Sequence, residues 1–372
     1  MVFYLLLVVY FLCTVLSTGR YRSDRSKKIA VFLYLLPLFL LVALRDRSIG
    51  PDTNAYYRIF YNIASRSNFL ETVTQSRLEP GYYTLCFLIG KLGGSYYLMQ
   101  IIISAFIFCS FGRFIRTYSI NVPFTCFILL ADDSVFGMMN VARMWIAVAI
   151  LLYAIAPLQR RNLKLFILIV LIASLFHYSA SIFLIMYPIS SLKITADKLG
   201  VLFIAAIGIS VAELSVFGAI TNVLGIYQNY LTEDRFDTSD NLAVKVSLAI
   251  CLCYFLLTTV THIWESSADE IRTDSNVKSL SINCISYWAM ILSVCVNIIG
   301  LSNNLMGRIS HYFSVFGLLS IPQAINNMKV FNNRLIMKTV IMILMFIVFA
   351  VILIYRPNWY MVIPYKFFFV NQ

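Results

Sequence analysis

Seven charged or ionisable residues stand out in an otherwise apolar chain, because their side chains can bind anions or move protons. Arginine presents a planar set of donors that fits carboxylate or phosphate, and a carboxylate or imidazole can take a proton from a hydroxyl group. Side by side, such groups would suit glycosyl transfer with a diphosphate as leaving group, since arginines neutralise its growing charge. The residues are Arg45, Asp52, Glu79, Arg143, His177, Arg235 and Arg308.

Each of these residues also has an ordinary structural explanation. Arg308 can extend along a helix end to water, His177 can be a hydrogen-bonded core histidine, and Glu79 can cap a helix that begins near Pro80. Among the candidate bases His177 ranks first, because the ordinary pKa of histidine, about 6.5, suits proton transfer near neutral pH. Asp52 and Glu79 remain alternatives, and the sequence does not choose among the three.

The composition indicates the kind of protein that must position these residues. Of 372 residues, 60% are hydrophobic and 12% are charged, whereas soluble chains are about 45–50% apolar and about 25% charged. We therefore predict an all-α polytopic membrane protein with a single integral membrane domain over residues 1–372. Segment lengths suggest roughly ten to twelve transmembrane or re-entrant helices.

Charge, cysteine and motif patterns exclude several other classes. The net charge is +12, but the basic residues are spread over short loops, a pattern that sets membrane orientation and does not indicate nucleic acid. The eight cysteines form no CxxC pair and the three histidines are scattered, so we predict no disulfide and no metal site. Without a Walker loop or GxGxxG motif, no nucleotide site and no cofactor are expected.

The distribution of basic residues predicts the orientation of the first spans. Val2 to Ser17 is apolar, and the basic residues follow it rather than precede it, so we predict an uncleaved first span. The positive-inside rule then places the amino terminus outside and the next basic loop in the cytoplasm. After the return span, residues 45–80 form a first outer loop, residues 225–241 a second, and both termini are outside.

The first outer loop is unusual because it contains five arginines and no lysine. The positive-inside rule disfavours arginine on this side, so a local reason is needed, and a planar anion such as carboxylate or phosphate is one candidate. Pairing with the loop's own carboxylates is the alternative. The arginines are Arg45, Arg47, Arg58, Arg66 and Arg77.

Two later segments carry the remaining candidates. Arg143 lies at the outer end of the apolar run Asn140 to Pro157, where an arginine is costly and indicates function. Lys193 and Lys198 suggest that both flanks of residues 163–189 are cytoplasmic, which predicts a hairpin of two short helices with His177 at its tip. A single tilted helix is the alternative.

The order of the polar motifs resembles that of the EpsG family, which belongs with the Wzy-type polymerases of bacterial surface polysaccharides. The similarity runs from about Arg45 to Tyr365, although Met144 stands where we expect glutamine. The motifs are Arg45 with Ile49-Gly50-Pro51-Asp52-Thr53-Asn54-Ala55-Tyr56, then Glu79-Pro80-Gly81-Tyr82, Asn140-Val141-Ala142-Arg143 with Ala147, Phe176-His177-Tyr178-Ser179, Arg308 with Tyr312-Phe313, and Pro364-Tyr365.

The resemblance implies a polymerase of the inner membrane that makes O-antigen, capsule or exopolysaccharide. It would transfer a growing glycan from an undecaprenyl diphosphate carrier to a carrier-linked repeat unit at the periplasmic face, without a nucleotide sugar or an essential metal. Membrane lipids and a chain-length regulator are the other expected partners. Predicted diphosphate ligands are Arg45, Arg143, Arg308 and Arg235, predicted bases are His177, Asp52 and Glu79, and predicted substrate contacts are Tyr56, Tyr82, Asn140 and Tyr312.

Three other functions remain open at this point. An O-antigen ligase-like transferase would share the donor but pass the glycan to a lipid A core. A flippase or transporter for the same glycolipid would also use arginines and broken helices, but its cations should lie deep in the membrane or face both sides. An acyltransferase with His177 as base is weaker, because no paired His-Asp motif supports it.

Overall fold

The chain is helical throughout the part that the structure describes. The computed structural model describes residues 2–16, 21, 23–76, 78–224, 242–260, 280–301, 304–328 and 330–370. These residues form no β-strand, and the only extended pairing among them is one isolated bridge between Arg45 and Phe367. The helical class predicted from composition is therefore confirmed.

Several of the described helices can cross a membrane. Six are long and apolar enough, and a bent pair, Val122–Ala131 with Ser134–Asn140 at 54°, would make a seventh. Shorter apolar helices cover Leu6–Val15, Leu163–Ser174 and Tyr178–Ile189. The chain is thus a multi-pass membrane protein. The six are Asp24–Ala43, Tyr96–Tyr118, Ala142–Gln159, Leu242–Thr259, Ile282–Ile299 and Asn332–Tyr355.

The chain divides into two compact units, and the first contains the amino-terminal half. Unit 1 comprises residues 1–155, 164–181 and 328–372. Within it α2 packs on α6, α3 on α5, α1 on α7, and α6 on α9. Its first nine helices are α1 (Val2–Leu16), α2 (Asp24–Ala43), α3 (Thr53–Ala64), α4 (Phe69–Gln75), α5 (Pro80–Lys91), α6 (Tyr96–Tyr118), α7 (Val122–Ala131), α8 (Ser134–Asn140) and α9 (Ala142–Leu151).

The second unit comprises residues 156–163 and 182–327 and is organised around one buried helix. After the 3₁₀ turn Leu152–Ala154, the chain continues through α10 (Ile155–Gln159), α11 (Leu163–Ser174), the 3₁₀ segment Tyr178–Ile185 and α12 (Met186–Ile189). In unit 2, α15 packs against α13 and α14. The later helices are α13 (Ala196–Leu224), α14 (Leu242–Val260), α15 (Ile282–Ile299), α16 (Asn304–Ile309), α17 (His311–Ser314), α18 (Gly317–Asn327), α19 (Phe331–Tyr355) and α20 (Pro357–Tyr360). Of the helices named in this paragraph, α19, α20 and residues 164–174 of α11 belong to unit 1. A single membrane domain over the whole chain stays a prediction.

Side-chain caps explain where several helices begin. Ser23 and Ser26 form a capping box at the start of α2, in which each side chain accepts the other's backbone N–H. Ser95 accepts the N–H of Leu98 at the start of α6, and Asn121 accepts that of Phe124 at the start of α7. These caps fix the ends of the helices that surround the candidate site.

Two predicted segments differ in detail from the structure. The first outer loop, residues 45–80, contains α3 and α4 and is not an open loop, because Tyr56, Phe60 and Ile63 give α3 a buried apolar face. The segment predicted to cross from Ile309 to Ile321 is divided among α16, α17 and α18, with non-helical turns at residue 310 and residues 315–316.

The segment that carries His177 is a hairpin, as predicted. Arg161 Nη1 donates to the carbonyl of Tyr187 at 2.5 Å, and the Tyr187 hydroxyl donates to the carbonyl of Arg161 at 2.8 Å. Because these two residues flank the segment, the chain between them turns back on itself. Helix α11 ends at Ser174, and His177 lies in the turn. The single tilted helix is excluded.

Candidate active site

A buried carboxylate joins two of the predicted site residues. Glu79 Oε1 lies 2.8 Å from His177 Nδ1, and Glu79 Oε2 accepts a hydrogen bond from Arg143 Nη1. The Glu79 side chain is only 3% exposed, whereas those of His177 and Arg143 are 18% and 21% exposed. The three residues are far apart in sequence, so the fold brings them together. We name Glu79, His177 and Arg143 the buried triad.

The start of α5 places Glu79 beside His177. Glu79 is the N-cap residue of α5, but its side chain makes no capping hydrogen bond, so the simple capping explanation is wrong. The next turn is anchored by Gly81, whose N–H donates to the carbonyl of Leu175 at 2.8 Å. A Cβ at Gly81 would lie 2.8 Å from that oxygen. Only glycine therefore permits this close approach between α5 and the histidine turn.

Arg143 lies at an unfavourable place for a lone cation. It is the second residue of α9, where the helix dipole is positive, and it is partly buried. The Glu79 carboxylate compensates its charge, and its guanidinium carbon lies 5.7 Å from the ring centre of Tyr56 and 6.0 Å from that of Tyr82. Both tyrosines are buried, so they form the floor beneath Arg143.

The protonation state of Glu79 determines which ring nitrogen of His177 carries the proton. Burial alone would raise the pKa of Glu79, but the hydrogen bond from His177 and the charge of Arg143 outweigh it, and the pKa is lowered. An ionised carboxylate only accepts hydrogen bonds, so His177 Nδ1 carries the proton in this pair. In the neutral imidazole, the second nitrogen, Nε2, then has a free lone pair.

This arrangement can perform general base catalysis. A carboxylate on one ring nitrogen fixes the tautomer and stabilises the imidazolium that forms when the other nitrogen takes a proton. His177 is the exposed member of the pair, while Glu79 is enclosed and both of its oxygens have partners. Within the buried triad His177 is thus more accessible than Glu79, and the catalytic role of each stays a prediction.

Arg45 has a different environment from Arg143. It is 2% exposed, its Nη1 donates to the carbonyl of Val42, and its Nη2 donates to the carbonyl of Met139 at 2.9 Å. These carbonyls lie at the carboxyl ends of α2 and α8, where helices leave acceptors unpaired and the dipole favours a cation. Burial lowers the pKa of Arg45, yet arginine stays charged at neutral pH. The geometry therefore makes Arg45 a clamp between two helix ends, and its diphosphate role stays a prediction.

Neighbouring contacts hold the same chain segment in place. The side-chain amide of Gln100 donates to the carbonyls of Ala43 and Arg45, each at 2.9 Å. Thr53 Oγ1 donates to the carbonyl of Met139 at 3.1 Å. Gly50 has a φ of +90°, which favours glycine, and a Cβ there would meet Thr53 Oγ1 at 2.8 Å. Sequence reasoning did not assign Gln100 a role, although an apolar helix with one amide is a visible signal.

The other predicted site residues of unit 1 contact the same segment before α3 or lie beneath Arg143. Asn140 Oδ1 accepts the backbone N–H of Asp52 at 3.0 Å. Asp52 is the N-cap residue of α3, yet its side chain makes no capping hydrogen bond. Tyr56 and Tyr82 lie under Arg143 rather than in an open cavity. The substrate-binding and base roles of these residues stay predictions.

Two predicted residues belong to unit 2, and a third is outside the described residues. Arg308 is an exposed residue at the end of α16, and Tyr312 is 1% exposed in α17, both in unit 2. Arg235, with the rest of the predicted outer loop 225–241, falls outside the described residues. Their roles as substrate ligands stay predictions.

The described residues offer no obvious metal site. Among them, no three His, Cys, Asp or Glu side chains are grouped so as to hold a metal ion. All eight cysteines lie among the described residues and are free thiols.

The fold and the buried triad together define a helical multi-pass membrane protein in which one carboxylate holds an imidazole and a guanidinium group. Compared with protein families, the chain belongs to the EpsG family, whose model matches residues 28–367. That family is associated with Wzy-type polymerases, so the chain is a polysaccharide polymerase-like membrane protein. Neither the curated proteins nor the solved structures contain a significant match to the chain.

Proposed function

We propose that this protein is a glycosyltransferase that polymerises oligosaccharide repeat units linked to undecaprenyl diphosphate. The observation that carries the proposal is the buried triad, in which Glu79 contacts both His177 and Arg143. It supplies an accessible base and a cation side by side, as expected for transfer to a hydroxyl with departure of a phosphorylated group. Family membership over residues 28–367 supports the same reaction class.

The proposed step joins two lipid-linked substrates. His177 Nε2 takes the proton of an acceptor sugar hydroxyl while its oxygen attacks the anomeric carbon of the donor glycan. The new glycosidic bond forms as the bond between that carbon and the diphosphate oxygen breaks. The bonding electron pair leaves on the diphosphate, and Arg143 lies where it can stabilise the added negative charge.

The location proposed for this reaction is the periplasmic face of the bacterial inner membrane. The positive-inside pattern supports it, because the basic residues that follow α1 favour a cytoplasmic loop there. Residues 45–80, which supply Glu79, and both termini would then be periplasmic. The product would be O-antigen, capsule or exopolysaccharide.

The direct test is an assay with purified protein in detergent and synthetic lipid-linked repeat units. We expect products that contain two or more units, with release of undecaprenyl diphosphate. Arg143→Ala should abolish them, whereas Arg66→Ala should not, because Arg66 is exposed and its side chain contacts only Asn62 among the described residues. A wild-type protein that moves the lipid across vesicles without forming a glycosidic bond would overturn the proposal in favour of a flippase.

A further inference from the structure

An open cleft in unit 1 is lined by more basic than acidic side chains, and none of them belongs to the buried triad. Its volume is about 700 Å³. The first turn of α3 and the segment before it form one wall, and the carboxyl-terminal chain contributes the other. Arg47, Arg58 and Lys366 line it, together with Asp46 and Tyr57. We name this feature the cationic cleft.

The three basic side chains are available to a ligand. All three residues are exposed. Neither Arg58 nor Lys366 makes a side-chain hydrogen bond or ion pair with any residue that the structure describes. Arg47 lies over the ring of Tyr57, with its guanidinium carbon 4.7 Å from the ring centre, which orients it without neutralising it.

One carboxylate also lines the cleft, but it already has partners. Asp46 accepts the N–H of Ser48 at 2.9 Å and the hydroxyl of Tyr97 at 3.2 Å. Burial would raise the pKa of Asp46, but the hydrogen bonds from Ser48 and Tyr97 outweigh it and lower the pKa. Three cations therefore face one ionised carboxylate, and the start of α3 adds the positive end of a twelve-residue helix.

The cleft and the buried triad lie beside the same helix. Tyr56 packs under Arg143, and the next residue, Tyr57, packs under Arg47. Consecutive residues of a helix point about 100° apart, so the two sites lie on different faces of α3, which orients one ring toward each. A molecule that reaches both sites must therefore extend around α3.

We propose that the cationic cleft binds the diphosphate of the acceptor substrate, an inference that rests on the proposed function. The donor's diphosphate is bonded to the carbon that reacts, so it must lie at the buried triad. The acceptor reacts through a hydroxyl of its sugar unit, and its diphosphate is separated from that hydroxyl by the sugars between them. An anion site displaced from the base thus fits the acceptor and not the donor.

The experiment compares Arg58→Ala/Lys366→Ala with Arg66→Ala as the matched exposed control. Binding of geranylgeranyl diphosphate in detergent is measured by calorimetry, with inorganic pyrophosphate and geranylgeraniol as further probes. We expect wild type and the control to show two diphosphate sites, and the double variant to lose one of them and keep the one at the buried triad. Equal binding of the diphosphates by wild type and double variant would overturn the site.

A second readout assigns the substrate. In the polymerisation assay, the double variant should show an acceptor KM raised about tenfold with an unchanged donor KM and a nearly unchanged kcat. A raised donor KM would overturn the acceptor assignment. The binding readout needs no turnover, so failure of the polymerase function and failure of the cleft are distinguishable.

Discussion

At the scale of single residues, the proposed reaction depends on the Glu79 carboxylate and its two partners, His177 and Arg143. Glu79 is enclosed, holds His177 at 2.8 Å and pairs with Arg143. Removing one member of such a buried arrangement without replacing its hydrogen bond leaves the others uncompensated, so a variant of that kind should affect both stability and chemistry. Arg45 is also buried, but its partners are backbone carbonyls. Its replacement should therefore lower the free energy of unfolding more than it affects substrate binding.

The first prediction uses Glu79→Gln and the pH dependence of stability. A carboxylate whose folded pKa is lowered stabilises the fold above its unfolded pKa and loses that contribution as pH falls through the folded value. At pH 7 we expect Glu79→Gln to lower the free energy of unfolding by about 2 kcal/mol. The difference should shrink below the ordinary pKa of 4.5. Thermal unfolding of both proteins in detergent between pH 7 and pH 3 measures it, and a difference that has not decreased at all at pH 3 would contradict the pairing.

The second prediction separates a structural from a ligand role for Arg45. Lysine keeps the charge but cannot reach the carbonyls of Val42 and Met139 together, so Arg45→Lys should cost about 3 kcal/mol in unfolding free energy. The exposed Arg47→Lys is the control and should change stability little. If Arg45→Lys unfolds like wild type but loses diphosphate binding, the original ligand assignment is correct instead.

At the scale of helices, the site exists because short helix ends approach each other closely. The start of α5 lies against the histidine turn through Gly81, and the segment before α3 is pinned by the ends of α2 and α8. The carboxyl-terminal chain completes this frame: Met361 accepts the N–H of Gly50 at 3.2 Å, and Lys366 accepts that of Asp46 at 2.9 Å.

The third prediction concerns Gly81→Ala. The new methyl group would lie 2.8 Å from the carbonyl of Leu175, so α5 must move away and carry Glu79 from His177. We expect a loss of about 1–3 kcal/mol in unfolding free energy and a marked fall in polymerisation. Gly200→Ala is the control, because nothing lies within 4 Å of a Cβ at that helical position. Equal activity of the two variants would show that the contact is not needed.

The sequence predicted the helical class and the candidate residues. It did not predict which of those residues contact one another and which bind backbone carbonyls instead. Apolar runs and the flanking lysines were enough for the hairpin at His177. Burial could not be derived in the same way. Arg45 stands in a charged stretch and is nevertheless enclosed where α2 packs against α8, whereas Arg143 stands in an apolar run and is partly exposed. Lys366 was missed since its approach to Arg47 and Arg58 depends on a contact between distant parts of the chain.

At the scale of the whole molecule, the proposed reaction requires that residues 45–80 face the periplasm. The fourth prediction tests this by labelling single cysteines in a background where the exposed Cys13, Cys109 and Cys253 are changed to serine. Ser67→Cys should react with a membrane-impermeant maleimide in intact cells with a permeabilised outer membrane. Asn162→Cys, in the predicted cytoplasmic turn, should react only after lysis. The reverse pattern would place the buried triad on the wrong side for this reaction.

The central claim, that His177 is the base of a polymerase, is tested most directly by the pH profile of polymerisation for His177→Gln. Glutamine can keep a hydrogen bond to Glu79 but cannot take the hydroxyl proton at neutral pH. We expect the variant to unfold at the wild-type temperature, to bind lipid-linked repeat unit normally, and to polymerise about 10²–10⁴-fold more slowly, with a pH profile that differs from the wild-type profile. Long chains made at the wild-type rate, with an unchanged pH profile, would contradict the account.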